Sequence, residues 1–63
     1  MQVGDCVEFH CWRDEVIGDT FCRTGAIQKI ETFRGETYLH ICQEKTSVMF
    51  VVHIEKAHAL QRQ

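Results

Sequence analysis

Cysteine and histidine are the residue types here with chemistry to offer. Cys6, Cys11, Cys22 and Cys42 are accompanied by four histidines in a chain of 63 residues. Zinc ligation is the first chemistry to weigh, and it usually draws on cysteines or histidines set close together in pairs. No Cys-x-x-Cys pair occurs. Cys6 and Cys11 are separated by an odd number of residues, so a regular strand sends them to opposite faces. His40 and Cys42 share a face about 7 Å apart at strand rise, and His10 would join them if the first and third strands were neighbours. His10, His40 and Cys42 are thus the candidate ligands, but ordinary half-buried residues account for them, and the expectation is no metal and no cofactor.

Nucleophilic catalysis needs a thiolate beside a positioned base in a pocket. Cys42 beside His40 is the local candidate, and two side chains on an exposed strand face make no pocket, so no catalytic residue is assigned. Cys11 and Cys22 read as small apolar core residues of a reducing compartment. The histidines would make any assembly sensitive to pH between about 5 and 7.

The elements that position these residues centre on residues 23–52, which read as three consecutive antiparallel strands. Gly35 separates a run ending Ile30-Glu31-Thr32-Phe33 from Thr37-Tyr38-Leu39-His40-Ile41-Cys42, and glycine tolerates the positive φ of a hairpin loop. Four polar residues, 43–46, form a second short connection. Upstream, residues 6–12 read as a first strand with Val7, Phe9 and Cys11 facing the core. Residues 13–20 read as a long loop whose Val16-Ile17 pair folds over one end. Ala26, Ile27 and Ile30 break a period of two, which predicts a bulge near Gln28 or Lys29. Residues 53–60 allow a helical turn and short closing strand, or a short terminal helix.

The pattern predicts one all-β domain over residues 1–63, a small five-stranded barrel with a long first loop and a 3-10 or helical turn near the C-terminus. A chain of this length buries only about 60% of its unfolded surface, so outside support is expected from disulfides, metal or oligomerisation. With no basic, apolar leader and no run near the ~20 apolar residues of a membrane span, the chain reads as complete, cytoplasmic and without a membrane partner. Net charge is −2, from seven basic and nine acidic side chains, and the basic residues are scattered, which disfavours binding driven by phosphate neutralisation.

Val48-Met49-Phe50-Val51-Val52 is apolar on both faces, although a barrel strand needs only one face covered. Val48, Phe50 and Val52 are expected to fill the interior. Met49 and Val51 then point outward beside Tyr38 and His40, with Trp12 on the outer side of the first strand. The bland account covers them with residues 16–17 or 54–60; the sharper one makes Met49, Val51, Tyr38, His40 and Trp12 a protein interface, for self-association or a larger partner. The alternative partner is nucleic acid, RNA or single-stranded DNA, held by Trp12, Arg13, Phe33 and Arg34 through stacking and charge.

Gly4-Asp5-x-Val7-x-Phe9, then Arg23-Thr24-Gly25-Ala26-Ile27-x-x-Ile30, the Gly35 turn and Tyr38-x-His40-Ile41 resemble the small SH3-like barrels of the KOW and Tudor type. The resemblance covers most of residues 3–54 and implies an SH3-like barrel whose relatives bind RNA or protein. Within that class the chain is also similar to the plasmid-type dihydrofolate reductases, tetramers around an active pore. Their pore strand has the form Val-Gln-Ile-Tyr, and the matching positions here are Val48, Met49, Phe50 and Val51, lacking the Gln and Tyr that orient substrate. This likeness implies fold and oligomerisation and argues against the reductase activity, which stands as a third, weaker expectation.

Overall fold

A computed structural model of the chain describes residues 1–18 and 22–60. Five strands run antiparallel: β1 (Cys6–Phe9), β2 (Arg23–Phe33), β3 (Glu36–Gln43), β4 (Met49–His53) and β5 (Ala57–Ala59). A helix α1 (Trp12–Ile17) lies between β1 and β2, and a 3-10 turn η1 (Ile54–Lys56) lies between β4 and β5. The strand order is β4-β3-β2-β1-β5. The domain is therefore all-β with little helix. Among the described residues the sheet is not closed, and β4 and β5 are its edges. No helix among them is long and apolar enough to cross a membrane.

The expected hairpin lies at Arg34-Gly35, where φ values of 52° and 80° give the doubly left-handed turn whose twist matches two antiparallel strands. The pairing of β2 with β3 slips between Ile27 and Lys29. This is the expected bulge, and it sets Ile27 opposite Ile41 and Ile30 opposite Leu39. Gly25 sits where a Cβ would stand 2.3 Å from the Cys42 carbonyl oxygen, so the two backbones approach there as only glycine permits. The core is Val7, Phe9, Ile27, Leu39, Ile41, Val52 and Ala57, with Phe50 and Ile54 packed against it. Of the two expectations for residues 53–60, a turn followed by a short closing strand is the one realised.

Four expectations are corrected. The first strand, expected to run to Trp12, ends at Phe9, and Trp12–Ile17, expected as the strand's end and the start of the loop, is helical. Asp14, at the third helical position, accepts from the backbone N–H and thiol of Cys11, and Gly18 at φ 75° closes the C-terminus, so local capping completes a helix that no periodicity announces. Val16 and Ile17 do not fold over an end; both are exposed. Val48 does not fill the interior either. Ser47 turns through φ 57°, the strand begins at Met49, and Val48 is exposed.

The register fixes which backbone groups of β4 are free. The Gln43 N–H donates to the Val48 carbonyl at 2.9 Å, and the same register continues through Ile41 opposite Phe50 and Leu39 opposite Val52. Antiparallel pairs alternate between hydrogen-bonded and non-bonded. Phe50 and Val52 therefore turn their N–H and C=O toward β3, while Met49 and Val51 turn theirs to the outer edge.

Candidate functional site

A trough of about 480 Å³ runs between α1 and β4, lined on one side by Trp12, Arg13 and Glu15 and on the other by β4 from Met49 to His53. Strand side chains alternate between faces. A cavity touched by every residue of β4 must run along an edge, and the edge not paired to β3 is the free one.

Of the sequence-predicted interface residues, Trp12, Met49 and Val51 line this trough, whereas Tyr38 and His40 lie on β3 outside its lining. Met49 is 51% exposed and Val51 57%, both on the outer face of β4. Val51 stands opposite His40 and Met49 opposite Cys42 on β3. Tyr38 is half-buried and meets His53 edge-on, ring centroids 5.5 Å apart. Trp12 is 73% exposed on α1, across the trough from the strand. Among the described residues, neither residues 16–17 nor residues 54–60 cover Met49 and Val51.

The trough's shape depends on a pair that sequence reasoning missed. Asp14 is 2% exposed. Its two oxygens accept from Arg23 Nε at 2.7 Å and Nη2 at 2.9 Å, a bidentate match of carboxylate and guanidinium. The Arg23 bond first, and the Cys11 thiol second, hold the Asp14 carboxyl well below the usual carboxylate range, and Asp14 in turn raises Arg23 above its ordinary value. Arg23 also lies over the Phe50 ring, 5.1 Å from its centroid, and Phe50 packs on Phe9 at 5.5 Å. One cation thus ties α1 to the start of β2 and to β4. Glu15 accepts from Lys56 Nζ at 2.7 Å, a second tie from α1 to η1. Nothing in Arg13-Asp14-Glu15 as a string marks Asp14 as buried, because its partner lies on another element.

The remaining candidates are dispersed. Trp12 and Arg13 line the trough, whereas Arg34 stacks on its neighbour Phe33, 5.2 Å from the ring centroid, and neither of those two lines it. Strand β2 lies between β1 and β3, so His10 does not join His40 and Cys42. Nε2 of His10 instead lies 3.2 Å from Sγ of Cys22, and its Nδ1 is buried with no hydrogen-bond partner among the described residues. His40 is bound to Glu31 at 2.9 Å, a contact that, ahead of nearby Lys29, lowers the Glu31 carboxyl. Among the described residues no three His, Cys, Asp or Glu side chains are placed to hold a metal. The expectation of core positions for Cys11 and Cys22 is corrected: Cys11 is half-buried at the helix cap and Cys22 is exposed.

No family model, no curated protein and no solved structure matches the chain.

Proposed function

We propose that the chain is a small, non-enzymatic interaction module that associates with itself or docks on a larger protein through the outer faces of β3 and β4. The observation that carries this is the exposure of Met49 and Val51 beside Tyr38 and His40, with Trp12 facing them across the trough. Contiguous exposed apolar side chains mark contact surfaces, and aromatic residues with methionine are enriched in them. The fold we assign is an SH3-like barrel of the KOW and Tudor type. In its favour are the strand order, the bulge in β2, the 3-10 turn ahead of the last strand and Cα extents of 30 × 28 × 21 Å, in which a flat five-stranded sheet would have one thin dimension. Cys11, Cys22 and Cys42 are free thiols, which suits a cytoplasmic setting.

The test is the double substitution Met49→Lys with Val51→Lys. Both side chains point away from the core, so the variant should keep its circular dichroism and melting behaviour. It should lose association, read as mass by light scattering across a concentration series and as capture on the immobilised chain. Association equal to that of the native chain overturns the proposal.

A further inference from the structure

The backbone of β4 offers something more specific than apolar area. Met49 and Val51 direct their N–H and C=O groups outward along the free edge, and among the described residues no backbone partner reaches those of Val51. Natural sheets blunt such edges with charge, proline, bulges or very short strands. The opposite edge, β5, is three residues long. Strand β4 contains no Lys, Arg, Asp, Glu or proline, and its pairing with β3 is regular from Tyr38 to Cys42. The trough along this edge falls within the usual volume range of ligand pockets.

Charge then selects the occupant. The lining holds Arg13, Arg23 and Lys56 against a single acid, Glu15, in a chain whose net charge is −2. Asp14 occupies Arg23 and Glu15 occupies Lys56, which leaves Arg13 as the cation with no partner among the described residues. An extended chain added to β4 presents side chains alternately to two sides. Apolar groups at one set of positions suit Met49 and Val51, and carboxylates at the other suit Arg13. A nucleic-acid backbone is anionic too, but its phosphates only accept and would leave the edge carbonyls unmet.

We propose that the free edge of β4 takes an acidic, extended segment of a partner protein as an added strand, its carboxylates paired with Arg13 and its apolar side chains beside Met49, Val51 and Trp12. This rests on the interaction-module reading and names the partner chemistry of the same surface.

The probe is a short blocked peptide alternating valine and glutamate, with a twin carrying lysine for glutamate. Each is titrated into the full chain, with Trp12, the single tryptophan, as fluorescence reporter. The glutamate peptide should bind at least about tenfold tighter than its twin, lose affinity with added salt, and slow hydrogen exchange at the Val51 amide. Arg13→Glu should reverse the preference between the peptides. Val51→Pro, which removes an edge donor without touching the ladder to β3, should weaken binding by about tenfold or more. If that variant does not fold, amide exchange in the native chain decides. Equal binding of the two peptides, a Val51 amide unprotected at saturation, or a native dimer in which that amide is already protected overturns the inference. Each of these leaves the interaction-module reading intact so long as the Met49→Lys, Val51→Lys variant loses association.

Discussion

Protonating Asp14 removes the acceptor shared by Arg23 and the Cys11 thiol. Its carboxyl is depressed in the folded chain. The stabilisation is therefore complete above the unfolded carboxylate value of about 3.9 and is lost as pH falls through the lower, folded one. Glu31, lowered by His40 and then Lys29, acts in the same direction. Melting temperature should accordingly fall steeply below about pH 4. Asp14→Asn should melt lower at neutral pH, because Arg23 then lacks its counter-charge, and should show a flatter acid limb. Thermal denaturation of both proteins across this range checks it, and a variant with the native acid slope would refute the role given to the pair.

At the scale of the elements, the β2–β3 hairpin could be read from the sequence because its information is local. Arg34-Gly35 needs positive φ, and alternating runs flank it. The bulge was equally legible, since Ile27 and Ile30 share a face only if the strand slips between them. The helix α1 was not. It is six residues long with Cys11, a poor capping residue, at its start, and it is held by Asp14–Arg23 and Glu15–Lys56, contacts to other elements that its own residues do not announce. Of the candidate site, the outward row of β4 followed from period two, whereas the trough required knowing where α1 lies. The tight approach of β2 to β3 at Gly25 can be tested directly. Gly25→Ala places a methyl against the Cys42 carbonyl oxygen, a backbone atom that cannot step aside. We expect a cost of about 1–3 kcal/mol and a melting temperature lower by at least about 4 °C. Calorimetry finding no loss would mean that the strands part more readily than their register implies.

For the whole molecule, the arrangement of β1 bears on the order in which the chain assembles. Strand β1 is threaded between β2 and β5, and the Leu60 N–H donates to the Cys6 carbonyl at 3.2 Å, joining opposite ends of the described chain. The β2–β3–β4 meander needs only short loops, whereas docking β5 on β1 requires closing nearly the whole polypeptide into a ring, whose entropy cost grows with loop length. Local pairings that are made early set the folding rate, and pairings made after the barrier mainly set the unfolding rate. Ile41→Val, in the meander core, should slow folding. Ala57→Gly, in β5, should speed unfolding and leave the folding rate almost unchanged. Stopped-flow chevrons for the two variants distinguish this sequence of events from its reverse. An assembly that closes last also opens first, which makes the β1–β5 seam the place where the native chain would yield to a protease long before it unfolds as a whole.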